Sequence, residues 1–308
     1  MKRNIYLFSF IQLVCLIFSF VHTNAQPSSP VESIFPAGTI KHSNLPYAND
    51  THKKHLLDIY LPPEPGNKRP LIVWIHGGAW MMNDKYADMG YMKNTVKEFI
   101  DSGYALASID YRFSTEARFP AQVQDCNQAL EFLYQHAEQY NIDNKRIALI
   151  GFSAGGHLAS LMALSNNNVV KEFYPSATKI HFNIKCVLDF YGPSDFLMLA
   201  SNPDTSNSNE QNPVFVLLGA LPVNRPDLAK LASPVTYVDK NDPPFFIVHG
   251  EKDESVPNAQ SRLLSSRLTL AGVKNELTIV PDAPHFGEMF DTEKIRKDLF
   301  RFLATYLR

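Results

Sequence analysis

The 308-residue sequence predicts an α/β fold, with a mostly parallel central sheet and helices on both of its faces. Two observations carry that expectation. Apolar runs of strand length recur along the chain, and continuous runs, as opposed to strict alternation, belong to strands buried on both faces. Segments with apolar residues at helical spacing lie between them, as parallel crossovers require.

Taken in order, His55–Leu61 alternates like a strand and ends in the turn cluster Pro62–Asn67. Leu71–Ile75 is solidly apolar and predicts an interior strand. Gly90–Ser102 places Tyr91, Val96, Phe99 and Ile100 at helical spacing, and Tyr104–Ile109 predicts a second buried strand. Pro120 stands where a helix tolerates proline, and Val123, Cys126, Leu130 and Leu133 continue with a 3.6-residue rhythm. Further strands are predicted at Arg146–Ile150, Ile184–Phe190, Phe245–His249 and Leu277–Val280, and helices at Ser153–Leu164, Pro257–Leu270 and Glu293–Leu307. Residues 196–235 break the rhythm and contain the polar tract Ser201–Asn209. A connection of this kind in an open parallel sheet lies at the ligand-binding end, so the segment is a candidate lid.

Apolar residues make up 45% of the chain and charged residues 19%, which suits a large core and excludes a disordered chain. Net charge is −2, and no basic run exceeds Lys53-Lys54, so neither nucleic acid nor an anionic membrane surface is expected as a partner. Lys2 and Arg3, the apolar stretch Ile5–Val21 and the small residue Ala25 read as a secretory signal peptide over residues 1–25. The stretch is interrupted by Ser9, Gln12 and Ser19, which argues against a spanning anchor, and Val14 before Cys15 argues against lipidation. The expected product is a secreted or periplasmic single domain, 26–308, with no membrane attachment after cleavage. Removal of Lys2 and Arg3 takes its net charge from −2 to −4. Its two cysteines, Cys126 and Cys186, read as free core thiols, though one bridge between them stays open. Oligomeric state is not legible.

The chemistry is concentrated at three strand ends. Arg146–Ile150 runs into Gly151-Phe152-Ser153-Ala154-Gly155-Gly156 and then a helix, which is G-x-S-x-G in the strand–turn–helix context it needs. A nucleophilic serine must sit on a sharp, strained turn so that its hydroxyl stands above the sheet, and small flanking residues let the chain double back. Leu71–Ile75 ends in His76-Gly77-Gly78-Ala79-Trp80. Acyl transfer builds charge on a carbonyl oxygen, and preorganised backbone N–H groups must meet it. Gly78 and Ala79 are the expected donors from this loop, with Gly77 shaping it and Ala154 N–H completing the oxyanion hole. His76 reads as a clamp for the loop and His157 as a packing or capping residue. Trp80 either walls the substrate pocket or simply packs.

In this arrangement the acid follows the serine and the histidine comes last. Asp253, after the Phe245–His249 strand, is the expected acid; Glu251 and Glu254 read as solvated loop charges. His285, between the prolines of the next exit loop, is the expected base, with His249 as runner-up. No metal-ligand set, P-loop or dinucleotide motif is present, and no cofactor is expected. Asn49-Asp50-Thr51 is a glycosylation sequon of consequence only in a eukaryotic secretory route.

Together, His76-Gly77-Gly78-Ala79-Trp80, Asp110-Tyr111-Arg112, Gly151–His157, His249–Asp253 with Val256-Pro257, and His285-Phe286 resemble the α/β-hydrolase esterases of the hormone-sensitive-lipase-like group. The sequence is more similar still to secreted bacterial bifunctional feruloyl and acetyl xylan esterases, over about residues 40–308. That resemblance implies hydrolysis of acetyl or feruloyl esters on plant cell-wall polysaccharide, with an acylated polysaccharide or oligosaccharide as partner. Ala79-Trp80 replaces the third glycine of the hormone-sensitive-lipase pattern and is shared with kynurenine formamidase, whose cytosolic substrate does not suit an exported chain. A prolyl-oligopeptidase-type serine peptidase would need a propeller that residues 26–70 cannot form. Non-catalytic binding proteins of this fold usually lack one of the three side chains, and here all three are present.

Overall fold

The computed structural model describes residues 31–64, 66–168, 170–175, 181–200 and 212–307. The export signal read over residues 1–25 and the polar tract 201–209 lie outside them. Eight strands form one sheet: β1 (Ile40–Pro46), β2 (Leu56–Leu61), β3 (Arg69–Ile75), β4 (Ala105–Ile109), β5 (Ile142–Phe152), β6 (Ile184–Phe190), β7 (Phe245–Gly250) and β8 (Asn275–Val280). Their order is β1-β2-β4-β3-β5-β6-β7-β8; β1–β2 and β2–β4 pair antiparallel and every other pair is parallel.

The apolar runs explain the layers. In β3, Leu71, Val73 and Ile75 enter one core, while Ile72 and Trp74 enter the core on the opposite face, all five fully buried. Each such side chain contributes about 2 kcal/mol of burial. Helices α1 (Lys93–Asp101) and α8 (Glu293–Tyr306) cover one face with Val96, Phe99, Leu299 and Phe302. Helices α2 (Ala121–Gln135), α3 (Ala154–Ser165) and α7 (Ala259–Leu270) cover the other with Leu130, Leu133, Leu158 and Leu264. Cys126 and Cys186 are free and buried in the two different cores, so the sheet itself separates the thiols.

Strand β1 has no counterpart in the sequence reading. It is an edge strand whose residues are all at least partly exposed, so its sequence Ile-Lys-His-Ser-Asn-Leu-Pro shows no buried run. Between β6 and β7 the described residues of the candidate lid include the short helices α4 (Phe196–Leu199), α5 (Pro213–Leu218) and α6 (Pro226–Ala232). The Asn212 side chain caps α5 by accepting the Val214 and Phe215 N–H groups at 3.0 and 3.2 Å, and Gly219 ends it in the left-handed region. Asn-Pro before an apolar run and Gly after it is a helix signal that the surrounding polar residues obscured.

The connections leaving β3 and β5 run to opposite sides of the sheet. That switch opens a crevice at the C-terminal ends of these two neighbours. Ile75 is in register with Gly151, which sets the loop after β3 beside the turn after β5.

Candidate active site

Ser153 occupies the turn between β5 and α3 with φ 51° and ψ −115°, a conformation in which a non-glycine residue stores strain. The spacing of small residues is a steric necessity. A Cβ on Gly151 would fall well inside contact distance of the Gly155 carbonyl, and one on Gly155 would do the same at the Ile75 carbonyl. Ser153 N–H donates to Phe190 O at 2.9 Å, and Ser153 O accepts His157 N–H at 3.0 Å.

His285 Nε2 lies 2.7 Å from Ser153 Oγ, and His285 Nδ1 lies 2.6 Å from Asp253 Oδ2. Burial alone would raise the Asp253 carboxyl. Hydrogen bonds from His249, His285 and the Val256 N–H outweigh it and hold the group down to about 2. An ionised carboxylate only accepts, so His285 carries its proton on Nδ1 and offers the Nε2 lone pair to the Ser153 hydroxyl. Asp253 Oδ1 is fixed separately, by Ser255 N–H at 3.0 Å and Val256 N–H at 2.8 Å. The acid and base loops are laced together by Glu251 N–H to Val280 O and Lys252 N–H to Ala283 O, both 2.9 Å.

The runner-up His249 is fully buried beneath the acid, with Nε2 2.7 Å from Val256 O and 3.0 Å from Asp253 Oδ2, and Nδ1 accepting from Ser261 Oγ at 2.7 Å. It therefore supports Asp253 and does not approach Ser153. Glu251 and Glu254 are exposed, and Glu251 accepts Asp282 N–H at 3.1 Å.

Three backbone N–H groups were expected to form the oxyanion hole, and in each case the carbonyl of the same peptide is pinned. Gly77 O accepts His76 Nδ1–H at 2.6 Å, which orients the Gly77–Gly78 peptide and aims Gly78 N–H. Gly78 O accepts Met81 and Met82 N–H at 2.9 and 3.1 Å, which aims Ala79 N–H. Ser153 O is held by His157 N–H and aims Ala154 N–H. Gly77 itself is no donor to the site, because its N–H is used by Asp88 Oδ2 at 2.7 Å; it shapes the loop instead. His76 is buried and stacked on Tyr111, whose hydroxyl donates to His76 O at 2.9 Å, so it acts as the loop's clamp.

Trp80 is 3% exposed and donates its indole N–H to His157 Nδ1 at 3.1 Å, yet its ring also borders the pocket. Packing and walling are thus one role seen from two sides. The pocket measures about 620 Å³ and has Ser153 and His285 among its walls, with Met82, Tyr91, Leu199, Val214 and Phe286 supplying apolar surface. Leu199 and Val214 come from α4 and α5, so the candidate lid contributes to the pocket.

Sequence reasoning missed Asp88 and Tyr191. Burial raises the Asp88 carboxyl, against hydrogen bonds from Gly77 N–H and the Tyr91 hydroxyl. The Tyr91 hydroxyl lies 2.6 Å from Asp88 Oδ1 and 2.8 Å from the Tyr191 hydroxyl, and the Tyr191 ring packs 5.0 Å from the His285 ring. Neither residue stands in a motif, and only the loop's path brings them to the pocket. Among the described residues no cluster of three metal-ligating side chains occurs, and no helix is long and apolar enough to cross a membrane.

A switch-point crevice and a strained turn that sets Ser153 beside His285 and Asp253 are the architecture of an α/β hydrolase. Residues 57–268 match BD-FAE, and the chain belongs to that family. It is 31% identical over 260 residues to Esterase LipQ of Mycobacterium tuberculosis, covering 82% of this chain and 59% of LipQ. The chain thus spans about three-fifths of that relative. A solved structure described as a truncated form of carbohydrate esterase from gut microbiota superposes with TM-score 0.76 at 32% identity, covering 90% of this chain and 99% of the other. A bifunctional GH43-CE of Bacteroides eggerthii gives TM-score 0.77 at 33% identity, over 86% of this chain and 35% of that one.

Proposed function

We propose that the chain is an exported serine carboxylesterase that hydrolyses acetyl or feruloyl esters on plant cell-wall polysaccharide. The observation that carries this reading is the hydrogen-bonded line from Ser153 Oγ through His285 to Asp253, at 2.7 and 2.6 Å, beside backbone amides whose carbonyls are held. His285 Nε2 takes the Ser153 proton as Oγ attacks the ester carbonyl carbon. Asp253 keeps the imidazole in the tautomer that can accept and stabilises the cation that forms. The tetrahedral oxyanion is met by the N–H groups of Gly78, Ala79 and Ala154. His285 then returns the proton to the departing alcohol, leaving an acyl-Ser153. Water activated by the same imidazole releases the acid and restores Ser153.

Family membership and the carbohydrate esterases among the structural relatives support the sugar-linked substrate. A pocket of about 620 Å³ with Tyr91, Met82 and Phe286 in its walls suits an aromatic acyl group and leaves ample room for acetyl. Export follows from the reading of residues 1–25. The decisive experiment measures acetate released from acetylated xylan and ferulate from methyl ferulate, with wild type and Ser153→Ala. The reading expects release that the substitution abolishes, and it fails if neither ester is cleaved. Sequencing of the mature N-terminus should find Gln26 first.

A further inference from the structure

We infer that His157 is a positioning residue for this chemistry: by accepting the Trp80 indole N–H and donating to the Ala232 carbonyl, it locks the oxyanion loop to the nucleophile helix and to the β6–β7 connection. The inference rests on the esterase reading of the site.

Ala79 and Trp80 both take left-handed backbone conformations, φ 52° and 59°, where a third glycine would have been at ease. Two consecutive side-chain-bearing residues in that region tend to relax, and any rotation there carries Ala79 N–H away from the oxyanion position. Something must hold the loop against this tendency. The Trp80 carbonyl accepts Ser114 N–H at 2.8 Å, and the indole N–H donates to His157 Nδ1 at 3.1 Å. The two rings meet edge to face at 5.3 Å, and Phe196 of α4 lies 5.7 Å from Trp80 and 5.0 Å from His157.

His157 stands on α3, is fully buried, and donates Nε2–H to Ala232 O at the end of α6 at 2.8 Å. An indole can only donate and a carbonyl can only accept, so the imidazole must keep its proton on Nε2 and its lone pair on Nδ1. A position serving only the core would accept phenylalanine or leucine. This one needs an acceptor and a donor directed at two separate elements, the oxyanion loop, which lines the pocket, and α6 of the β6–β7 connection, whose α4 and α5 line it. The same residue also holds Ser153 O through its backbone N–H, so one side chain and its own amide bear on two of the three oxyanion donors. Glutamine is the substitution able to offer an acceptor and a donor at once.

The test compares wild type, Trp80→Phe, His157→Phe, the double variant Trp80→Phe/His157→Phe, and His157→Gln on 4-nitrophenyl acetate, with Ser153→Ala as control and Tm measured for each. Misplaced oxyanion donors weaken the transition state far more than substrate binding. Each Phe variant should therefore lose kcat on the order of 10²-fold with KM changed less than about threefold. The double variant should be no worse than either single one, and His157→Gln should recover at least about tenfold over His157→Phe. Trp80→Phe removes the N–H together with part of a buried ring, so the double-variant comparison and the glutamine rescue, which keep or restore the bond separately from that volume, isolate the hydrogen bond. If His157→Phe does not fold, Trp80→Phe and His157→Gln decide. Wild-type kcat in Trp80→Phe, losses that multiply in the double variant, or glutamine behaving like phenylalanine would each overturn the inference. Activity surviving in Ser153→Ala would instead overturn the esterase reading beneath it.

Discussion

Asp253→Asn is isosteric, yet the surroundings of Asp253 dictate a tautomer that stops the reaction. The Oδ1 position faces two backbone donors, Ser255 N–H at 3.0 Å and Val256 N–H at 2.8 Å, so an asparagine must put its carbonyl oxygen there. Its NH₂ then occupies the Oδ2 position, 2.6 Å from His285 Nδ1. A donor facing Nδ1 makes Nδ1 the acceptor and moves the imidazole proton to Nε2, where it points at Ser153 Oγ. His285 can no longer take the serine proton, and a loss of about 10⁴-fold in kcat follows from a wrong tautomer of this kind. Stability should also fall. The Asp253 carboxyl titrates at about 2 against a free value of 3.8, worth about 2 kcal/mol in a buried site. A depressed acid stabilises the fold above pH 3.8 and loses that contribution as pH drops toward 2, so the asparagine variant should show a flatter stability curve in that window. Stopped-assay kinetics with 4-nitrophenyl acetate at pH 7.5 and urea unfolding at several pH values measure both effects. An asparagine variant within tenfold of wild-type kcat would refute the donor–acceptor reasoning.

Three further expectations follow from individual contacts. Gly155→Ala drives a methyl into the Ile75 carbonyl, where strand and helix backbones both resist; it should cost about 3 kcal/mol and roughly 6 °C or more in Tm, read by calorimetry. Phe286→Ala removes a ring that is 63% exposed at the pocket mouth, so Tm should hold while KM for methyl ferulate rises about fivefold, the loss of roughly 1 kcal/mol of aromatic contact. His157 is pushed down to about 4 by burial, against its bond to Ala232, so the folded state refuses a proton that the unfolded chain accepts below pH 6.5. Stability should therefore fall by about 3 kcal/mol as pH drops from 6.5 to 4, and His157→Gln should remove that slope in urea titrations.

What the sequence made legible follows burial and backbone geometry. The interior strands announced themselves because both faces are covered, which leaves no polar residue in Leu71–Ile75. Ser153 and Asp253 were legible because each stands just past such a strand, and His285 because it follows the next strand, the edge strand β8, in the chain order that separates acid from base. His249 was the near miss. It is as close to a strand end as a base should be, and only the folded chain reveals its ring turned under Asp253 toward Ser261. Strand β1 and the Asp88–Tyr91–Tyr191 line were illegible for the opposite reason: their roles come from what the folded chain lays beside them, and their spacing records none of it.

Strain marks the site independently of any motif. Among the described residues, nine non-glycine positions have positive φ, and asparagine or aspartate, which tolerate that region, fill five of them. The other four are Ala79, Trp80, Ser153 and Tyr191, and all four border the pocket. Each costs about 1–3 kcal/mol and persists only where its neighbours over-determine it. The pinned carbonyls of Gly77, Gly78 and Ser153, the Tyr191 N–H bond to Val248 O at 2.8 Å and the Trp80–His157 pair are that over-determination. A fold assembled for stability alone would have put glycine at these four positions. Keeping side chains there makes sense if the side chains do chemistry or position it, and Ser153 and Trp80 are where the two kinds of role meet.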